Sequence, residues 1–406
     1  MSEIGRSERG VTSVWERLVG QDEAVAVLQA AALAGAAAAR GEPVAPGALS
    51  HSWLFTGPPG SGRSVAARAL AAALQCDHPE DPGCGRCTSC RTVLAGTHPD
   101  VKIVATEGLS LKVDDMRELV RRAGSKPVLS RWSVIVIEDA DRLGERAADA
   151  LLKAVEEPPP QTIFMLCAPS THPEDVSVTI RSRCRHLNLR TPPTDAVARV
   201  LRADGLDSET AAWAAAAGQG HIGRSRRLAR DAAARDHRAA VLAIPASLTS
   251  LRACMKAAEH LINSADAEAK AISESLDETE VEELKTALGM GATGKGAVGG
   301  VRGAAGQIKD LEKKQKMRLT RNVRDSLDRA LVDLAAFYRD VLLVQNHAEV
   351  ARAHPDFDDD VRAVAVQVPQ AGVLQRMDAI LNCRTALEQN VKPQIAVEAL
   401  MASLRL

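Results

Sequence analysis

Apolar positions follow two regimes along this chain. Between about residues 50 and 190, short solid apolar runs alternate with stretches in which apolar residues recur every three or four positions. Beyond that, only the three-to-four spacing remains. Solid runs bounded by turn residues mark strands buried on both faces. Trp53 to Phe55, VKIVAT within Thr97 to Thr106, SVIVI from Ser133 to Ile137 and IFMLC from Ile163 to Cys167 fit that description. Helical spacing covers Val14 to Ala39 (interrupted at Gly20), Val65 to Leu74, Val113 to Ala123 and Ala147 to Glu157. The last is stopped by Pro158, Pro159 and Pro160. Asp114 and Asp115 fall in a first helical turn, the end that the helix dipole favours for anions. Strand–helix alternation of this kind predicts an α/β fold built on a doubly wound parallel sheet. Thr191, Pro192 and Pro193 break the pattern. From there to about residue 245 the chain reads as helical and basic, and 246–406 reads as all-helical. Gly289 to Gly306 has the composition of a flexible linker. It follows an acidic helical stretch (Ser273 to Lys285) and precedes a basic one (Lys309 to Arg324), which predicts an inserted helical hairpin with this segment at its tip.

The stretch Gly57, Pro58, Pro59, Gly60, Ser61, Gly62, Arg63, Ser64 lies between an expected strand and an expected helix, the setting a phosphate-binding loop requires. The glycines let the backbone turn tightly and aim N–H groups at an anion, and the helix adds its free amides. The signature asks for Lys where Arg63 stands. Ser64 retains the hydroxyl that ligates Mg²⁺. A guanidinium keeps the charge but is a wide planar fork, not a compact ammonium. The loop therefore reads as built for nucleotide and impaired for hydrolysis. A Gly-rich turn without a ligand is the plain alternative. Glu138 and Asp139 follow the SVIVI run, at the strand end where open α/β sheets bind ligands. One carboxylate there would serve the Mg²⁺ shell and the other would polarise a water. Capping of the next helix is the alternative.

Cys76, Cys84, Cys87 and Cys90 are spaced C-x7-C-x2-C-x2-C. Four thiolates so close together match a tetrahedral structural zinc site, with an iron–sulfur cluster as competitor. The intervening Pro-, Gly- and Asp-rich segment cannot build its own core, so metal would supply folding energy.

Composition narrows the function classes. The formal net charge is −1, so no global field draws in nucleic acid, and aromatics are only 2%, too few for base-stacking platforms. Arg224, Arg226, Arg227 and Arg230 form one local basic cluster, whose bland reading is a solvated face. The opening MSEIGRSERG is polar and reads as a tail, not a leader. No window is expected to span a membrane. A cytoplasmic location is expected, where clustered cysteines bind metal and do not form disulfides. A stand-alone zinc-dependent nucleic-acid-binding module is a further reading, which the charge and the scarce aromatics disfavour.

The strings VGQDEAV (Val19 to Val25), GPPGSGRS, the cysteine cluster, VIVIEDADRL (Val134 to Leu143), ALLKAVEEPP (Ala150 to Pro159) and TIRSRC (Thr179 to Cys184) occur in this order. In sequence and spacing they resemble the clamp-loader branch of the AAA+ ATPases over roughly residues 14–230. The resemblance implies a RecA-like core at 1–190 with a zinc-binding insertion at 76–90. It also implies a small helical lid at 191–245 and a helical collar at 246–406 that joins a hetero-oligomeric ring. It implies work on a sliding clamp and primed DNA, with ATP or ADP and Mg²⁺ at the phosphate loop. Motor members of the family keep the lysine, a DE order at the strand end and a polar sensor residue. This chain has Arg63, the inverted pair Glu138–Asp139, and Cys167-Ala168-Pro169. By the resemblance, Arg183 of the SRC motif acts in trans on a neighbour's ATP. A subunit that hydrolyses little ATP itself is expected, with an active motor as the alternative.

Overall fold

The computed structural model describes residues 13–106, 108–288 and 301–406. The chain forms two compact units, Met1–Ala229 and Arg230–Leu406. Unit one contains α1 (Asp22–Ala39), β1 (Ser52–Thr56), α2 (Arg63–Leu74), α3 (Thr88–Leu94), β2 (Val101–Val104) and α4 (Val113–Ala123). It continues with β3 (Ser133–Ile137), α5 (Glu145–Glu156), β4 (Thr162–Ala168), α6 (Val178–Arg181), β5 (Arg185–Asn188), α7 (Thr194–Ala203), α8 (Ser208–Ala217) and α9 (Ile222–Arg230). Among the described residues, five strands form one parallel sheet in the order β2-β3-β4-β1-β5.

The solid apolar runs are explained by the two faces of this sheet. Successive strand residues point to opposite sides. Trp53, Phe55, Val134, Val136, Met165 and Cys167 pack into one core with Leu28 of α1 and Leu70 of α2. Leu54, Ile135, Ile137, Phe164 and Leu166 pack into another with Met116 of α4 and Leu151 of α5. The register places Leu54 beside Leu166 and Ile135 beside Phe164, so each layer is continuous across strands. An α/β architecture with a doubly wound parallel sheet is therefore present.

Two expectations need correction. Helix α1 does reach the length and apolar character of a membrane span, with a mean hydropathy of 1.3 over 18 residues. Alanine supplies much of that value, and the buried face of the helix, including Leu28, Ala31 and Ala32, joins the hydrophobic core of unit one. Within the cysteine-rich segment, Cys87 caps α3 and Cys90 lies in that helix. The polar tail over residues 1–10 and residues 289–300 of the Gly-rich segment lie outside the described residues. Val301 to Gly306, read as linker, instead continue into a helix.

Unit two is helical: α10 (Ala232–Leu242), α11 (Ile244–Ser247), α12 (Leu251–Ala287), α13 (Val301–Gln345), α14 (Asp358–Gln367), α15 (Gln370–Glu388) and α16 (Pro393–Ser403). The acidic and basic stretches seen in sequence lie on α12 and α13. These helices run antiparallel: Arg318 pairs with Asp277 and Glu280, Asn322 donates to Ser273, and Arg329 pairs with Glu268. Leu331, Phe337, Tyr338 and Val341 of α13 form the core with Ile380 of α15 and Val397 of α16.

Candidate nucleotide site and cysteine cluster

The loop between β1 and α2 is fixed by close backbone packing. A Cβ on Gly57 would lie 2.3 Å from the Leu189 carbonyl, and one on Gly60 would lie 2.7 Å from Cβ of His221. Gly60 also has φ +87°, which only glycine adopts without strain. Gly62 forms the N-cap of α2 in the left-handed region and offers no capping side chain. The first amides of α2 are thus left for an anion. Pro58 accepts the Ser61 amide at 3.0 Å, closing the turn. Pro59 is exposed, and Ser64 is half-buried in the first helical turn. Gln21 braces the loop from α1's N-terminus: its amide group donates to the Ser61 carbonyl (3.2 Å) and the Arg190 carbonyl (2.5 Å), and it accepts the Arg190 amide (3.2 Å). Sequence reasoning gave Gln21 no role, although it stands in one of the quoted strings. Two buried polar atoms here, Oγ of Ser61 and Nη1 of Arg63, have no hydrogen-bond partner. A glycine loop, a bare helix N-terminus and an orphaned cationic nitrogen together fit a phosphate group.

The acidic pair is less available. Arg68, one turn into α2, donates from Nε to Oε1 of Glu138 at 2.8 Å. Glu138 is largely buried in that ion pair. Oδ2 of Asp139 accepts the Thr106 amide at 2.9 Å. Burial raises Asp141 above the ordinary carboxylate range. Cys167 is the next-to-last residue of β4, and burial first, then the charge of Glu138, pushes its thiol up to about 12. It therefore stays a neutral, weak donor. Sequence placed the acids correctly at the end of β3, but nothing in a linear reading linked Arg68 to them.

The four sulfurs of Cys76, Cys84, Cys87 and Cys90 lie within 4.8 Å of one another. That fits a tetrahedron of thiolates at metal–sulfur distances of about 2.3 Å. Amides of Cys87 and Cys90 point at the sulfurs of Cys84 and Cys87, both at 3.4 Å. The Cys90 thiol also donates to the Ala72 carbonyl at 3.5 Å, and Cys76 lies 3.9 Å from Cys87, sulfur to sulfur. Within this tight group the nearness of Cys90 holds Cys76 low and raises Cys90. The cluster hangs from the C-terminal end of α2. Trp15 clamps it, its indole N–H donating to the Pro82 carbonyl at 3.1 Å, and a Cβ on Gly83 would lie 2.7 Å from that ring nitrogen. Packing of this kind suits a structural role.

Arg183 follows α6 and precedes β5. Its guanidinium donates to Oε1 of Glu156 (2.9 Å), to the Thr179 carbonyl (3.0 Å) and to the Ser182 hydroxyl (3.3 Å). The residue is exposed at the surface of its unit. It lies at the N-terminal end of an edge strand, away from its own phosphate loop at the C-terminal end of β1. Of the basic cluster in α9, Arg226 is used internally, paired with Asp204 at 2.6 Å.

A family profile described as DNA polymerase III, delta subunit, matches residues 41–193. The gamma/tau subunit of DNA polymerase III from Mycobacterium tuberculosis (strain ATCC 25618 / H37Rv) is 36% identical over 173 residues, covering 41% of this chain and 30% of that one. The delta' subunit from Escherichia coli (strain K12) is 38% identical over 146 residues, 35% of this chain and 43% of that one. The delta' subunit from Pseudomonas aeruginosa is 37% identical over 138 residues, 33% and 42% respectively. The matches span less than half the length of each of these relatives. Identity does not separate the gamma/tau kind from the delta' kind. A gamma subunit-related protein from Thermotoga maritima aligns over 88% of this chain and 94% of its own, at 18% identity and a TM-score of 0.35, too low to argue from.

Proposed function

We propose that this chain is a clamp-loader subunit of the AAA+ family, similar to DNA polymerase III subunits of gamma/tau/delta' type, and that it is the rigid, delta-prime-like member of a loader ring. In this reading it helps place the sliding clamp on primed DNA and hydrolyses little or no ATP itself. The observation that carries the reading is the Arg68–Glu138 ion pair. A carboxylate that must enter a Mg²⁺ shell or polarise water is neutralised by its own subunit. Asp139, holding an amide, has one oxygen committed as well.

The phosphate loop still fits a nucleotide. Its amides, Ser61, Arg63 and the hydroxyl of Ser64 would hold ATP or ADP, and bound Mg²⁺ would supply charge neutralisation. Arg183 acts in trans: a guanidinium offered from outside stabilises charge developing on a neighbour's γ-phosphate. Cys76, Cys84, Cys87 and Cys90 hold structural zinc, which secures the segment that carries them against α2. The partners are the gamma/tau and delta subunits, the sliding clamp and, through the assembly, primed DNA, in the bacterial cytoplasm. The RecA-like core at 1–190, the lid at 191–245 and the collar at 246–406 are the working parts of this assignment.

A second reading, an active gamma/tau-like motor, is favoured by the glycine loop with its two orphaned polar atoms. ATP turnover by the purified chain decides between them. The expected result is no hydrolysis above background. Turnover that Arg63→Ala abolishes would overturn the delta-prime assignment in favour of the motor.

A further inference from the structure

The hairpin of α12 and α13 has no part in the reading above. The buried core of unit two takes α12 only as far as Ala265 and α13 only from Leu327 onward. Beyond it, residues 270–287 of α12 and the facing part of α13 form an arm about 27 Å long, at a rise of about 1.5 Å per residue. Polar layers close the seam of this arm near its base. Ser326 donates to Glu268, Asn322 to Ser273 (3.0 Å), Arg318 to Asp277 and to Glu280 (2.9 Å), and Gln315 to the Asp277 carbonyl (3.1 Å). Such bonds fix the register of the two helices and add little net stability. The apolar side chains point elsewhere. Cys254, Ala258, Leu261, Ala265 and Ala269, three or four residues apart, form the buried stripe of α12, each at most 1% exposed. Ile272 and Leu276 extend the stripe at the same spacing, yet they are 45% and 47% exposed. A helix pair with a polar seam and an open apolar stripe is half of a bundle.

The arm also carries opposite charges on its two helices. Residues 270–288 hold six carboxylates against two lysines, and residues 306–326 hold seven cations against three carboxylates, so each helix offers what the other attracts. Glu278, Glu282 and Glu283 line one groove on α12. Glu278 and Glu283 make no ion pair among the described residues, and Glu282 has only Lys285, at 4.0 Å. On α13, Lys309, Lys313 and Lys316 recur at i, i+4 and i+7, so they share a face, and all three are exposed. They too make no ion pair among the described residues. Because Gln315 and Arg318 face Asp277 and Glu280, Lys316 stands level with Glu278, and Lys313 with Glu282. The two rows are at matching heights on outer sides of one arm, where they do not meet each other.

We propose that this arm is a docking surface for a second copy of the chain. Two arms lie together about a two-fold axis along their length, so that each α12 rests against the other copy's α13. That axis preserves height, so Glu278, Glu282 and Glu283 of each copy meet Lys309, Lys313 and Lys316 of the other, an isologous contact. Ile272 and Leu276 are covered at the base. A face two helices wide and about 27 Å long offers roughly 500 Å² per copy, about 1,000 Å² in all, the lower limit for a specific interface. The dimer is therefore weak, with a micromolar dissociation constant. The proposal stands on the arm and not on the clamp-loader reading; where both hold, the arm ties two loader rings together.

Sedimentation equilibrium of the purified full chain tests it. The wild type is expected to dimerise, and Ile272→Ser with Leu276→Ser to weaken the dimer at least tenfold. Lys309→Glu, Lys313→Glu and Lys316→Glu together make both helices acidic. Glu278→Lys, Glu282→Lys and Glu283→Lys together make both basic. All of these positions are exposed, so folding and ring assembly should persist. Each triple variant alone is expected to be monomeric, and an equimolar mixture of the two to recover the dimer, because each supplies the sign the other lacks. A wild type that stays monomeric at millimolar chain overturns the proposal. So does a dimer indifferent to the substitutions, or a mixture that fails to recover it. Loss of ring assembly in either triple variant overturns it in favour of a contact with a different loader subunit. None of these results bears on ATP turnover, which tests the clamp-loader assignment separately.

Discussion

Replacing Arg183 with alanine separates a structural arginine from one kept for a neighbour. Within its own subunit the guanidinium bonds to Glu156, the Thr179 carbonyl and the Ser182 hydroxyl. Its side chain is 31% exposed and that of Glu156 50%. Ion pairs this wet contribute about 0–1 kcal/mol. The variant should therefore lose at most about 1 kcal/mol of stability, a melting shift of only a few degrees. The same number bounds the cost of letting go of Glu156 to reach across a boundary, at most about fivefold in rate. Against it stands a trans guanidinium on the transferring phosphoryl group, worth about 10³–10⁵ in rate. The trans effect dominates even after that deduction. Arg183→Ala should cut hydrolysis at the contacted site by at least ~10² while the ring still assembles. The assay is single-turnover ATP hydrolysis by the reconstituted loader with clamp and primed DNA. Glu156→Ala, which frees the guanidinium, serves as control and should leave turnover unchanged or slightly higher. Wild-type turnover in rings containing the alanine variant would refute the reasoning.

Elemental analysis should find about one zinc per chain, since four thiolates make one tetrahedral site, and Cys84→Ser should release it and lower the melting temperature; iron, or no metal, would discard the assignment. Arg63→Lys restores the usual phosphate-loop residue but leaves Glu138 bound to Arg68, so the purified variant should still show no ATP turnover; vigorous hydrolysis would show that Arg63 alone was the block. His354 is fully buried in unit two, with Nδ1 facing Arg238 at 2.8 Å, Nε2 facing the Asp333 carbonyl at 3.2 Å, its amide bonded to Asp340, and Asp356 on the far side of Arg238. Burial lowers its pKa, so its neutral form is favoured by folding. The stability this gives is present above the unfolded value of about 6.5 and is lost as pH falls below it, by up to ~1.4 kcal/mol per pH unit. Urea unfolding at pH 7.5 and 5.5 should show that loss in the wild type and a smaller one in His354→Gln; equal losses would remove His354 as the cause.

The fold was legible wherever both faces of an element were buried. After Ser133, SVIVI leaves no polar position, nor does IFMLC, and only a sheet covered on two sides needs that. The hairpin of α12 and α13 was legible from charge, because an acidic and a basic stretch flank one Gly-rich segment and attract each other as neighbours. The glycine turn between β1 and α2 and the closeness of the four cysteines were legible because their spacing is set by local geometry. What stayed hidden depends on distance along the chain. Gln21 braces a carbonyl at Ser61 and another at Arg190. Asp100 organises amides 28 to 30 residues away. Arg68 meets Glu138 only once the sheet brings α2 beside the end of β3. Helix α1 misled in the opposite sense: its alanines give a span-like hydropathy while one face packs in a core.

The hidden contacts also bear on why an intact phosphate loop is weak evidence of turnover. The loop is held by packing that owes nothing to nucleotide. A side chain on Gly57 would strike the Leu189 carbonyl, and one on Gly60 would strike His221. Ser61 is tied by its carbonyl to Gln21. The helix that the loop opens carries the cysteine cluster at its other end, so distorting the loop would disturb the core of unit one. These glycines are needed for the fold whether or not phosphate ever binds. Hydrolysis depends on different atoms, the carboxylates at the end of β3, which in this family-like pocket must be available to metal or water. An arginine one turn into α2 can therefore claim Glu138 while the loop keeps its shape. The informative residues in a pocket of this kind are those whose loss the core would tolerate.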